Sequence, residues 1–215
     1  MDYPTDLVDL VAKRSTGFQL EGFIAGQGPI HPKLMLVGEA PGRKEVENHI
    51  PFSGAAGKEL IRAMESIGLT RENTYITSAV RSRPYKVLER LDKRTQKNEF
   101  VYPNRIPNKK EILAHAPLLD YELSQVQPKI IATLGNIGLQ RLLGPKWLIS
   151  EKHGTVYRGS ILELNDTLDR YQLSKREYNV LPLFHPAAIF YNRSLTEKIK
   201  EDWILLGNLL EKEDE

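Results

Sequence analysis

The 215-residue sequence contains no cysteine, and that single absence removes disulfide pairing, thiol catalysis, zinc ribbons and cysteine-ligated iron–sulfur clusters together. It also lacks any run of 18 apolar residues and any N-terminal apolar leader core. A transmembrane helix and secretion are therefore not expected, no membrane partner is expected, and the location expected is cytoplasmic. With 15 Gly and 13 Pro the chain is too poor in both for collagen-like or low-complexity sequence, and 40% apolar residues exclude a disordered one. His31, His49, His115 and His153 show no metal-ligand spacing, so neither a metal nor a cofactor is expected.

What is present is a chain of one-domain length, read as a single monomeric domain over 1–215 with residues 1–30 as an N-terminal helix and loop extension. The net charge is only +2, but it is unevenly spread. Between Arg81 and Lys110 ten basic side chains face three acidic ones, a local +7 that leaves −5 on the rest. A basic stretch on an acidic body suits a polyanion, because Lys and Arg displace counterions from phosphates.

Three short apolar runs read as buried strands that deliver a loop at their C-terminal ends: Lys33–Val37 before Gly38, Lys129–Leu134 before Gly135, and Tyr178–Phe184 before His185. Tyr75–Val80 is rich in β-formers and makes a fourth strand, and Thr155–Leu164 reads as a strand or hairpin edge. Ala56, Leu60, Ile61, Met64 and Ile67 share a helical face with Gly68 as the stop. A further helix from Asn108 is expected to break at Pro117, a short one to end at Gly144, and the last to start at a Ser194–Glu197 capping box. The stretch 81–107 has neither period and is expected to be a long basic loop. Alternating strands and helices predict an α/β fold of three layers, α/β/α, around a four-stranded mainly parallel sheet, with ligands beyond the carboxyl ends of the strands.

Those ends carry the chemistry. Gly38-Glu39-Ala40-Pro41-Gly42 lets backbone approach a ligand closely but is neither a Walker loop nor a dinucleotide fingerprint. Pro51-Phe52-Ser53-Gly54 sets one aromatic among small residues before a helix, and His185 opens a turn whose apolar and aromatic residues end in Asn192-Arg193. A carboxylate, a stacking aromatic and an imidazole beside a basic stretch suit chemistry on a base extruded from nucleic acid.

Five segments in order, residues 38–42, 51–57, 73–84, 130–135 and 184–188, resemble the uracil-DNA glycosylase superfamily, and most its family 4, the iron–sulfur type. The resemblance spans roughly residues 33 to 210 and implies a pocket for a flipped base at the ends of four parallel strands. It implies that Glu39 positions water or steadies positive charge on the sugar, and that His185 stabilises the departing base. It further implies that Gly38, Ala40, Phe52 and Ser78 surround the base, with Phe52 stacking on it. The partner implied is DNA, single- or double-stranded with a damaged base. Contacts to it are expected from Arg81, Arg83, Arg90, Lys93 and Arg94, and from Gly135, Asn136, Ala188, Asn192 and Arg193.

Three departures stand out. The family has Asn where this chain has Ser78, and a hydroxyl cannot offer an amide's paired donor and acceptor to a base edge. Ser82 and His115 occupy two of the four cluster-cysteine positions, and the N-terminal pair falls near Lys13–Thr16. Ile50 replaces the Gly that precedes Pro-Phe, which would reshape the pocket entrance. The expected function is a cluster-free DNA glycosylase that hydrolyses the bond to a deaminated base, uracil foremost. The alternatives are a catalytically weak nucleic-acid-binding member of the superfamily and an α/β enzyme acting on free nucleotides.

Overall fold

The computed structural model describes residues 1–92, 94 and 96–212. Its elements in chain order are α1 (Thr5–Arg14), β1 (Leu20–Glu21), β2 (Leu34–Gly38), α2 (Arg43–Asn48), α3 (Ala55–Glu65), β3 (Thr74–Ser78), β4 (Arg83–Pro84), β5 (Leu88–Asp92) and β6 (Lys97–Val101). There follow α4 (Lys109–Val126), β7 (Ile130–Leu134), α5 (Asn136–Leu143), α6 (Ile149–Lys152), β8 (Tyr157–Leu164), β9 (Tyr171–Leu183), α7 (Ala188–Tyr191), a 3-10 turn (Arg193–Leu195) and α8 (Thr196–Lys212). Among the described residues no helix is long and apolar enough to cross a membrane.

The fold is α/β. The central sheet has the order β3-β2-β7-β9-β8, in which the four expected strands β3, β2, β7 and β9 run parallel and β8 adds a fifth, antiparallel edge through the β8–β9 hairpin. Because side chains alternate across a pleated strand, both faces of each central strand are apolar. Leu34 and Leu36 of β2, Ile130, Ala132 and Leu134 of β7, and Leu181 and Leu183 of β9 pack on Leu60 and Met64 of α3 and Trp203, Leu206 and Leu210 of α8. Met35 and Val37, Ile131 and Val180 point the other way, onto Leu119, Leu123 and Val126 of α4 and Leu142 of α5. Three layers result, with the parallel strands ending on one rim.

α3 closes as its sequence suggests: Gly68 N–H reaches the Glu65 carbonyl at 3.1 Å and Leu69 N–H the Met64 carbonyl at 3.0 Å, with Gly68 at φ +73. Three expected boundaries change. α4 runs through Pro117 unbroken. Proline leaves the Leu113 carbonyl without its helical donor, and the Arg14 guanidinium supplies one at 3.0 Å. α8 is preceded by a 3-10 turn capped by Asn192, whose side-chain oxygen accepts from Ser194 N–H at 3.1 Å and Ser194 Oγ at 2.7 Å, so Ser194 is not the cap. The stretch 81–107 is not a structureless loop: β4 pairs with β1, and β5 pairs with β6 in a two-stranded ribbon. The ribbon is solvated on both faces, so it has no apolar alternation to reveal it.

Residues 1–30 are tied into the body. Glu122 of α4 is fully buried and accepts hydrogen bonds from Tyr3 Oη, from Tyr75 Oη at 3.0 Å, from Thr77 Oγ1 at 2.7 Å and from the Arg81 guanidinium. Arg83 is equally buried and binds Glu21 at 2.6 Å, the Tyr102 carbonyl and the Asn104 side chain. Both arginines are therefore structural, and the expectation that they contact DNA is corrected: a guanidinium buried and paired in the interior cannot reach a phosphate. Removing one partner of a buried pair strands the other charge. Glu122→Ala is expected to lower unfolding free energy by about 3–5 kcal/mol, read by urea denaturation, and the paired apolar replacement Arg81→Met with Glu122→Leu recovers only the share due to the stranded guanidinium, since the Tyr3, Tyr75 and Thr77 hydroxyls still lose their acceptor.

Candidate active site

The strand ends open into a cavity of about 810 Å³ whose lining includes Glu39, Ala40, Phe52, Ser78 and His185. Five of the six residues expected around the reacting base thus share one wall. The sixth, Gly38, lies behind it: a Cβ there would meet the tip of the Phe52 ring at 2.7 Å, so only glycine leaves room for that ring at the end of β2.

Phe52 holds a left-handed backbone, φ +54, which is strained for a bulky residue. Two side chains over-determine it. Arg71 donates to the Pro51 carbonyl at 2.9 Å and the Phe52 carbonyl at 2.7 Å. Glu45 accepts from Gly42 N–H at 3.1 Å and Gly54 N–H at 3.0 Å, clamping the 38–42 loop to the 51–54 turn. Neither residue was singled out in the sequence. Glu45 sits at the third position of α2, where an acidic residue after Gly42 is a capping signal, but Arg71 lies 19 residues from its target with no local mark.

His185 lies against Phe52, ring centroids 5.8 Å apart. Gly135, at φ +83, is buried beneath it, where a Cβ would approach the His185 Cβ to 3.1 Å. Gly135 therefore seats the imidazole, and being buried with its N–H on the Leu183 carbonyl and its carbonyl accepting from Leu139 N–H it presents no exposed group for the expected DNA contact. Ala187 N–H donates to His185 Nδ1 at 3.1 Å, so the proton of the neutral ring belongs on Nε2. Burial pushes the imidazole down to about 4, outweighing the Glu45 carboxylate that favours its charged form. At neutral pH His185 is an uncharged N–H donor. Burial likewise pushes the Glu39 carboxyl up to about 7.

Ser78 lines the cavity, yet its hydroxyl donates to the Val80 carbonyl at 2.8 Å and lies 3.5 Å from Arg81 Nη1. Ile50 is not part of the lining. The rim carries Ala187, Phe190 and Tyr191, the last 90% exposed; the aromatic pair two residues beyond the Pro-Ala-Ala turn was its sequence signal. Of the outer positions expected at DNA, Ala188 is half-buried in α7, Asn192 and Arg193 are exposed, and the Asn192 side-chain oxygen is engaged in its cap. Asn136 is exposed, with its side-chain oxygen accepting from Ile149 N–H at 2.9 Å. Arg90 is exposed on the ribbon and Arg94 at its turn, while Lys93 lies outside the described residues.

The family model described as the uracil DNA glycosylase superfamily matches residues 25–206. The chain is similar to the type-4 uracil-DNA glycosylase of Sulfurisphaera tokodaii, 34% identical over 181 residues that make up 84% of this chain and 71% of that protein. It is similar also to those of Saccharolobus solfataricus, 33% identical over 84% of this chain and 72% of that one, and Archaeoglobus fulgidus, 30% over 88% and 83%. The chain belongs to the uracil DNA glycosylase superfamily.

The cluster implied by the family-4 resemblance does not fit the residues present. Ser15, Ser82 and His115 offer no thiolate, and both His115 nitrogens are engaged, Nδ1 with Arg81 N–H and Nε2 with Ser15 Oγ, each at 3.3 Å. Burial pushes the His115 imidazole down to about 3, so it is a neutral structural bridge. Among the described residues no three His, Asp or Glu side chains converge as a metal site.

A carboxyl with a raised folded-state value is penalised in its charged form: the cost is absent below the unfolded value near 4.5 and full above about 7. Glu39→Gln is therefore expected to raise the melting temperature, and by more at pH 8 than at pH 5 in scanning calorimetry. An equal gain at both would mean that Glu39 is not held in a dry site.

Proposed function

We propose that the protein is a DNA glycosylase that excises a deaminated base, uracil foremost, without an iron–sulfur cluster. The observation that carries this reading is the convergence in one cavity of Glu39, Phe52 and a neutral His185 with its proton on Nε2. In this reading Phe52 stacks on the extruded base. The glycosidic bond breaks with its electron pair going to the base, and His185 Nε2–H donates to the base oxygen on which negative charge collects. Glu39 as carboxylate faces the cationic sugar, and water adds to C1′ with loss of its proton to that carboxylate. A neutral donor suits this step, because an imidazole whose conjugate acid titrates near 4 gives strong stabilisation without having to transfer its proton first.

A second reading, a nucleic-acid-binding member with little catalysis, is favoured by one observation. The Ser78 hydroxyl is committed to the Val80 carbonyl, and a site without a paired donor and acceptor discriminates bases poorly.

Single- and double-stranded oligonucleotides carrying uracil, hypoxanthine or xanthine, scored for abasic sites, decide between them. Under the glycosylase reading His185→Ala slows single-turnover cleavage by roughly 10²–10³, and Ser78→Asn raises uracil cleavage and sharpens selectivity. No abasic site on any of these bases would hand the assignment to the binding reading. The rate is also expected to rise with pH through about 7 as Glu39 ionises, with no acid-limb change from His185 until about 4. Glu39→Gln should flatten the step at 7.

A further inference from the structure

Arg43, Arg83, Arg90, Phe100, Tyr102 and Asn104 line a second groove, of about 570 Å³, at the root of the β5–β6 ribbon. It shares Arg43 and Asn104 with the base cavity, so the two adjoin. Its lining holds three guanidinium groups and no carboxylate. Arg83 is engaged with Glu21, which leaves Arg43 and Arg90 to set the groove's charge.

The root of the ribbon is held firmly relative to the cavity. Arg83 and Arg43 both donate to the Tyr102 carbonyl, the latter at 3.3 Å, and the Tyr102 ring packs edge-on against Tyr85 at 5.8 Å. Beyond that root the ribbon stands in solvent with its apolar side chains uncovered. Phe100 is 65% exposed, and Leu91, which shares its face by the strand register, is 49% exposed. An exposed aromatic and arginines in the lining of one groove beside a base pocket, with Arg90 on the ribbon face opposite Phe100 and across from Glu99, make up the composition with which proteins hold unpaired nucleotides: every base has a face to stack, and each guanidinium meets a phosphate.

Resting on the glycosylase reading for the identity of the cavity, we propose that the β5–β6 ribbon binds the single DNA strand leaving that cavity, with Phe100 as a stacking platform for an unpaired nucleotide near the lesion and Arg43 and Arg90 on its phosphates. The ribbon thereby makes single-stranded or frayed DNA the preferred substrate. Charge complementarity and adjacency to the cavity favour this occupant over a protein partner or a second copy of the chain.

The test uses fluorescein-labelled single-stranded and duplex oligonucleotides without a lesion, and a single-stranded series with 2-aminopurine at each of three positions on either side of a uracil. Wild type is expected to bind the single strand more tightly than the duplex and to quench 2-aminopurine at one position. Phe100→Ala, at an exposed site that leaves folding intact, should abolish the quench and weaken single-strand affinity about tenfold, and Phe100→Tyr should restore both. Arg90→Glu should weaken binding at low salt and flatten its salt dependence. Unchanged single-strand affinity and quenching in Phe100→Ala would overturn the proposal. So would a sedimenting dimer that Phe100→Ala dissociates, since a second copy would then cover the ribbon. The two readings fail separately. A protein that excises uracil while Phe100→Ala binds like wild type loses the ribbon proposal alone, and one that excises nothing while Phe100→Ala loses the single strand loses the glycosylase reading alone.

Discussion

The Glu122 carboxylate is the point at which four parts of the chain are fastened. It lies on α4, inside the layer that covers the sheet, and receives Tyr3 from the N-terminal segment, Tyr75 and Thr77 from β3, and Arg81 from the turn that follows β3. An ionised carboxylate in that position is tolerable only because its oxygens are saturated by donors, one of them cationic. The consequence reaches the cavity. Ser78 sits between Thr77 and Arg81 and stays within 3.5 Å of the Arg81 guanidinium, so this residue of the cavity lining is fixed from behind by the same network. A larger polar side chain at 78 would have to be accommodated on the cavity side.

One physical cause gives the two titratable groups of the cavity opposite tendencies. Desolvation disfavours charge whatever its sign, so it raises the Glu39 carboxyl to about 7 and lowers the His185 imidazole to about 4. Near neutral pH the dry pocket therefore holds a neutral donor beside a carboxyl that is partly ionised. Ala187 N–H on Nδ1 turns this from a statement about charge into one about direction, because it leaves the only ring proton on the other nitrogen. The strain stored at Phe52, held by Arg71 and Glu45, serves the same end: the aromatic wall is in place before any ligand arrives.

The parallel strands were legible because burial on both faces writes a continuous apolar run, as in Leu34–Val37, and loops at their carboxyl ends follow from parallel topology. Glu39 and His185 could be found for that reason, since each follows a strand end; Phe52, in the turn between α2 and α3, was marked instead as one aromatic among small residues. What failed was the inference from local charge. Arg81 and Arg83 counted toward a basic stretch, but their partners Glu122 and Glu21 lie 41 and 62 residues away, and no window of sequence can see them. Arg105, bonded to Glu111 through two contacts of 2.6 and 2.7 Å, is a third basic residue of that stretch used internally. The ribbon escaped for the converse reason: with both faces wet, a strand has no period to display.

These misreadings bear on how the surface should be understood. The buried arginines do not form the basic surface; they hold in place the structure that carries it. Arg83 fastens the ribbon root to β1 and to Tyr102, and Arg105 braces the start of α4 through Glu111 while itself lining the base cavity. The exposed cations of this region, Arg43 and Arg90 among them, lie farther out, and Arg43 shares the Tyr102 carbonyl with Arg83. A fold with a sulfur-ligated cluster could pin such a segment through metal bonds. With no cysteine available, this chain pins it through guanidinium–carboxylate pairs and the Ser15–His115 bridge, contacts that need neither metal nor redox chemistry to form and that are made as the chain folds.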